Sequence, residues 1–260
     1  MSAVFLSQDI RTVRARLHVR TAGSGPPVLL LHGVMSDAQI WDPLISALCN
    51  NFFCIVPDMA GYGQSERLGA HAYAYNEESW TEDAFDVLTA LGVPQAHVMG
   101  HAEGAHLAIR LAARAPSTVV SLTAMASPLW SEACARARHA GSSALWGGLA
   151  LAAWVRARTA RGDVTVASLS DRRGLEVARA MLVAGRDERT LRASLSTLQT
   201  PMLALLDNDA PDEARSRLRH DTAAYERVRV SREPVNELRR GLLDAAFATH
   251  VQDWLQERNV

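Results

Sequence analysis

Ala96-His97-Val98-Met99-Gly100-His101-Ala102-Glu103-Gly104 opens as an apolar run and closes in a pentapeptide with glycine at both ends. A short apolar run bounded by turn residues reads as a strand buried on both faces. From about Ala102 to Ala115 the spacing becomes helical, so strand passes into helix through a tight turn. Glycines at 100 and 104 let two backbone segments come close there. Working outward, the same alternation recurs on both sides. Val28–Leu31, ending in His32-Gly33, and Phe53–Val56 are further buried runs, separated by helical spacing over Ile40–Cys49 and followed by another helix over Glu78–Leu91. Upstream, Val13, Ala15, Leu17 and Val19 alternate with Arg14, Arg16 and His18, the period-two pattern of a strand with one wet face. Thr21–Pro27 reads as a turn. Downstream come a strand at Val119–Met125, an almost wholly helical region at Pro128–Thr200, a strand at Met202–Leu206, a helix near Asp212–Thr222, a strand at Arg227–Val230 and a helix near Leu238–Gln256. Strands and helices taking turns imply parallel crossovers. The expectation is an α/β fold with one helical insertion.

Composition narrows the function. The chain has 260 residues, 48% hydrophobic and 21% charged, enough for one large core and unlike a fibrous or disordered chain. Twenty-seven basic against twenty-eight acidic residues leave a net charge of -1, so no general field draws it to nucleic acid or to an anionic membrane. A small-molecule partner is expected instead. Every basic residue is arginine, which excludes a Schiff-base lysine and a phosphate-loop lysine. Cys49, Cys54 and Cys134 are sparse and lack CxxC spacing, the mark of neither a disulfide framework nor a zinc site. The N-terminus has no basic and then apolar leader pattern, and no stretch reaches the roughly 18 apolar residues that span a bilayer. A cytoplasmic protein without a cofactor is expected. His97, His139 and His220 are too scattered for a metal set. The oligomeric state stays open, with a homodimer among the arrangements.

Four segments together resemble the α/β-hydrolase fold: Gly100-His101-Ala102-Glu103-Gly104 at the position of its Gly-x-Ser-x-Gly elbow, Leu30-Leu31-His32-Gly33 with Trp41 following, Asp58-Met59-Ala60-Gly61-Tyr62-Gly63-Gln64-Ser65, and the helical insertion. The resemblance covers nearly the whole chain. It implies a mostly parallel sheet of about eight strands, with a first core part at residues 1–127, a helical cap at 128–200 inserted after the sixth strand, and a second core part at 201–260. It also implies an oxyanion hole made by the amides of Val34 and Glu103.

The chain departs from the pattern where chemistry is expected. Ala102 stands at the nucleophile position, and its methyl group can neither attack a carbonyl nor be activated by a base. No histidine lies between His220 and His250, and the register puts Asn236 or Glu237 at the family's base position. The acid position falls on Ala210, with Asp209 and Asp212 beside it. Glu103 is the sharpest catalytic candidate: a carboxyl beside a dry pocket is suited to general acid or base work, the alternative being an ion pair with a neighbouring arginine. Asp37 is a second catalytic candidate or a helix cap. His32 and His101 are framework residues that border the pocket, His106 is expected buried beside the sheet, and Asp58, Gly61 and Gly63 read as turn residues. Trp130, Trp146, Leu149, Trp154 and Met181 are candidate cap contacts for a hydrophobic, multi-ring ligand. Three functions remain open. A non-hydrolytic enzyme would promote cyclisation, isomerisation or elimination of a hydrophobic secondary metabolite, polyketide-like in character. A pseudohydrolase would bind a ligand or partner without chemistry, and an esterase-like hydrolase would carry an engineered Ala102.

Overall fold

The computed structural model describes residues 3–126, 172–183, 188–207, 213–222, 225–233 and 245–258. Eight strands form one sheet: β1 Phe5–Arg11, β2 Arg16–Ala22, β3 Pro27–Leu31, β4 Phe53–Pro57, β5 Ala96–His101, β6 Val119–Met125, β7 Met202–Asp207 and β8 Val228–Glu233, in the order β1-β2-β4-β3-β5-β6-β7-β8. Only β2 runs against its neighbours. Parallel neighbours cannot be joined by a hairpin, so helices carry the chain back: α1 Asp42–Leu48 between β3 and β4, α2 Glu77–Ala90 before β5, and α3 Glu103–Arg114 before β6. Helices α4 Arg172–Val183 and α5 Glu188–Thr197 lie between β6 and β7, α6 Glu213–Asp221 lies before β8, and α7 Ala245–Gln256 follows it.

Both faces of the sheet are covered, which is why its central strands are apolar without alternation. Leu29 and Leu31 belong to one core with Trp80 and Ala84 of α2, Leu107 of α3, Leu195 of α5 and Leu218 of α6. Their neighbours Val28 and Leu30 point the other way, to Leu44 and Ile45 of α1 and Val251 and Trp254 of α7. Each large side chain so buried contributes about 1.5–3 kcal/mol. Helix α2 starts where it does because Asn76 Oδ1 accepts the Ser79 N–H (2.8 Å), with Glu77 and Glu78 in the first turn matching the helix's positive end. Cys54 in β4 is fully buried, and that burial, with the nearby Cys49 thiol, pushes its thiol up to about 12.

Two expectations near the N-terminus are corrected. The strand placed at Val13–Val19 begins at Arg16 and continues to Ala22, so Thr21 and Ala22 are strand rather than turn. Thr12 is the reason: its Oγ1 accepts the N–H groups of Arg14 (3.1 Å) and Ala15 (3.0 Å), closing a tight turn that leaves Val13 87% exposed. Before that turn lies β1, whose mixed, mostly exposed residues show no apolar periodicity and which pairs with β2 through its backbone. Among the described residues no helix is long and apolar enough to cross a membrane.

Candidate active site

Ala102 leaves β5 at φ 55° and ψ -120° and hands the chain to α3. A non-glycine residue in such a region costs about 1–3 kcal/mol and persists only when its surroundings hold it. Here Ala102 N–H donates to Met125 O (2.9 Å), and its carbonyl accepts from Ala105 N–H (3.0 Å). A side chain at Gly100 would overlap the Gly104 carbonyl, and one at Gly104 the Leu31 carbonyl, so both glycines answer to close approach. Among the described residues the non-glycine positions with positive φ are Met35 (60°), Ala102 (55°) and Ala126 (46°). They follow β3, β5 and β6, three adjacent central strands, at the carboxyl ends of the sheet's parallel strands. Such strain gathers where function does, and open α/β sheets bind ligands beyond the carboxyl ends of their strands.

Glu103 begins α3, is 4% exposed, and turns its carboxylate to the loop after β3. Val34 N–H donates to Glu103 Oε2 at 3.2 Å. A Cβ built on Gly33 would lie 2.8 Å from that oxygen and 3.1 Å from the Ala102 methyl, so carboxylate, methyl and Gly33 crowd one spot. The positive end of α3 favours an anion in its first turn. The amide that the resemblance assigns to an oxyanion hole is thus in contact with a carboxylate of the same chain.

His32 sets that amide's direction. Met59 N–H donates to His32 Nε2 (2.9 Å), which leaves the ring proton on Nδ1 to be donated to Gly33 O (2.8 Å). Carbonyl and N–H of one trans peptide point opposite ways. Fixing the Gly33 carbonyl on His32 therefore aims the Val34 N–H at Glu103. His32 is a framework residue with both ring nitrogens engaged. His101, buried at the end of β5, stands edge-on to Trp41 at 6.5 Å. Asp37 caps the 3-10 turn Ala38–Trp41, its Oδ1 accepting from Gln39 N–H (2.9 Å). Asp58 holds the following turn by accepting from Ala38 N–H (2.7 Å) and Gln64 N–H (2.8 Å).

Two buried groups escaped the sequence reading. Glu77 of α2 meets His106 (Nδ1 to Oε1, 2.8 Å) and Arg110 (Nε to Oε2, 3.0 Å) of α3. Burial works to raise its carboxyl, but the charges and hydrogen bonds of His106 and Arg110 overcome that and hold it below the usual range. The four-residue spacing of His106 and Arg110, one helix face, was the available signal. Asp83 accepts from Thr12 Oγ1 (2.7 Å) and Tyr73 OH (2.5 Å), and burial pushes both Asp83 and Tyr73 up. At the end of β8, His250 of α7 pairs with Glu233 (2.9 Å), three strands or roughly 14 Å across the sheet from β5. Trp130, Trp146, Leu149, Trp154, His139, Asp209, Ala210, Asp212, Asn236 and Glu237 lie outside the described residues, as does the side chain of Met181. Among the described residues no group of three or more His, Cys, Asp or Glu is placed to hold a metal ion.

A strained strand-to-helix elbow at the centre of an eight-stranded sheet, facing a backbone amide from the loop after β3, is the scaffold of a hydrolase-type protein. The chain belongs to the alpha/beta hydrolase fold family, whose model matches residues 26–196. A 2-(acetamidomethylene)succinate hydrolase of Mesorhizobium japonicum is 31% identical over 121 residues, 46% of this chain and 42% of that protein. A 2-hydroxymuconate semialdehyde hydrolase of a Pseudomonas species is 33% identical over 125 residues, 47% of this chain and 44% of that protein. The chain thus matches less than half the length of either relative. In structure it is similar to a thioesterase domain from the curacin biosynthetic pathway (TM-score 0.70, 16% identity, 96% of this chain and 99% of that one). It is also similar to a loop variant of a haloalkane dehalogenase from Bradyrhizobium elkanii (TM-score 0.73, 17% identity, 98% and 97%). At these identities the structural likeness speaks to the fold alone.

Proposed function

We propose that this chain is a non-hydrolytic member of its family, without a working nucleophile, acid and base triad, that moves a proton on a small hydrophobic metabolite through Glu103. The observation that carries this reading is the Glu103 carboxylate at 3.2 Å from the Val34 amide, beside Gly33, which the Ala102 methyl also approaches. A methyl group forms no acyl-enzyme. A carboxylate seated where an oxyanion would otherwise develop suits proton transfer at carbon or oxygen. Aldol-type cyclisation, isomerisation through an enol and β-elimination each use such a transfer, and secondary-metabolite biosynthesis is where ring-bearing substrates of this kind arise. In this reading the segment 128–200 has the task of excluding water from the substrate. The protein works in the cytoplasm and needs no cofactor.

The test is deuterium exchange from heavy water into enolisable aromatic ketones, followed for the unchanged protein and for Glu103→Gln. Exchange that falls by about 10²–10⁴-fold in the variant is the expected result. Exchange unaffected by the substitution would remove Glu103 from the chemistry.

A second reading has its own support, because the relatives named above are called hydrolases. An esterase-like protein with its serine replaced would regain reactivity in Ala102→Ser. Fluorophosphonate labelling decides between the readings: silence in both proteins is expected here, whereas strong labelling of the serine variant alone means that an acid and base pair still addresses residue 102.

A further inference from the structure

Tyr62, 3% exposed in the turn after β4, touches three different parts of the molecule. Its ring stands edge-on to His32 (6.1 Å) and to Trp80 of α2 (5.8 Å), and its hydroxyl donates to the Gly174 carbonyl in the first turn of α4 (3.2 Å). Beside it, Gly61 at φ 93° has no room for a side chain, because a Cβ there would meet Val177 of α4 at 2.7 Å and Tyr75 at 2.8 Å. Helix α4 therefore rests directly on this turn.

The turn is tied internally and then to the site. Tyr62 N–H donates to Met59 O (3.0 Å), and Ser65 N–H to Tyr62 O (3.1 Å). Met59 N–H in turn donates to His32 Nε2 (2.9 Å), and His32 Nδ1 to Gly33 O (2.8 Å). The far side of that last peptide is the Val34 N–H on Glu103. Hydrogen bonds joined through the covalent frames of Tyr62, Met59 and His32 thus connect Gly174 to Glu103, with the stiff peptide plane of Gly33 and Val34 as the final link.

We propose that Tyr62 is a positioning residue that couples the seating of α4 to the aim of the Val34 amide. It touches no reacting atom and acts through Met59 and His32. A displacement of α4 pulls on the Tyr62 hydroxyl, tilts the turn, and turns the Gly33–Val34 peptide away from Glu103. A ligand that presses α4 onto Gly61 does the reverse. The significance for chemistry rests on the reading of Glu103 given above, but the coupling itself is measurable without turnover.

The experiment follows amide resonances and hydrogen exchange in the full-length, isotope-labelled protein. Tyr62→Phe keeps the ring beside His32 and removes only the hydroxyl. Losing one such hydrogen bond should speed exchange across α4 about three- to tenfold, shift the Val34 amide resonance and speed its exchange. Val177→Ala loosens α4 from Gly61 and leaves the Tyr62 hydroxyl and the His32 ring chemically intact, and should move the Val34 resonance in the same direction. Faster exchange in α4 with Val34 unmoved in both variants would mean that Tyr62 only packs, and unchanged exchange in α4 would mean that its hydroxyl holds nothing; either overturns the proposal. Glu103→Gln supplies the separate control. If Val34 is insensitive to that substitution but responds to Tyr62→Phe, the reading of Glu103 fails and the coupling stands.

Discussion

At the scale of single residues, Ala102 and its flanking glycines make opposite predictions. Ala102 holds a positive φ that glycine adopts freely, so Ala102→Gly relieves strain of about 1–3 kcal/mol against an entropic loss of about 0.5–1. A small net gain in unfolding free energy is expected in denaturant titration. Gly104→Ala goes the other way, since its new carbon would overlap the Leu31 carbonyl where strand and elbow meet. A loss of about 3 kcal/mol or more, or failure to fold, is expected. The elbow was legible because its pentapeptide carries its own turn chemistry, and Glu103 was legible as a carboxyl at its start. What Glu103 touches was not, for Val34 lies 69 residues away and the contact depends on which way one peptide plane faces. Tyr62 and Gly174, 112 residues apart, are further still from any local pattern.

At the scale of elements, α2 and α3 are joined by a buried acid that meets an arginine and a histidine. Removing the charge in Glu77→Gln leaves Arg110 buried opposite a neutral group, a change worth about 3–5 kcal/mol. The same group makes stability depend on acid. A carboxyl held below its unfolded value of 4.5 contributes stability that is present above that pH and is lost as the pH falls through the lower folded value. Denaturant midpoints compared at neutral and strongly acidic pH should therefore fall further for the native protein than for Glu77→Gln. Equal falls would mean that the cluster carries no acid-linked stability. Elements with strong apolar patterns, such as β3, β4, β5 and α3, could be read directly. β1 could not, because a strand whose pairing rests on its backbone leaves little imprint on its side chains. Val13 misled for a related reason: an apolar residue in register with a strand sits in a turn that Thr12 closes.

At the scale of the whole molecule, one sheet serves two cores. Leu30 and Leu31 are adjacent in sequence yet belong to opposite faces, each fully buried. Truncating either to alanine should cost about 2–5 kcal/mol. Both faces hang on the same strand, so each variant should melt in a single transition at a lower temperature, with no early loss confined to the helices of one side. Two separated transitions in calorimetry would show that the two helical layers unfold independently.

The thiol of Cys54 turns this architecture into a clock. Its sulfur lies in β4, sealed between the sheet's neighbours and the α1 and α7 layer, and its high proton affinity leaves almost no thiolate at neutral pH. A thiol reagent can reach it only when the sheet opens. The half-buried Cys49 nearby marks the rate set by local motion alone. In a pulse of reagent with the three cysteines followed separately, the reaction at Cys54 counts how often a molecule of this protein comes apart and closes again.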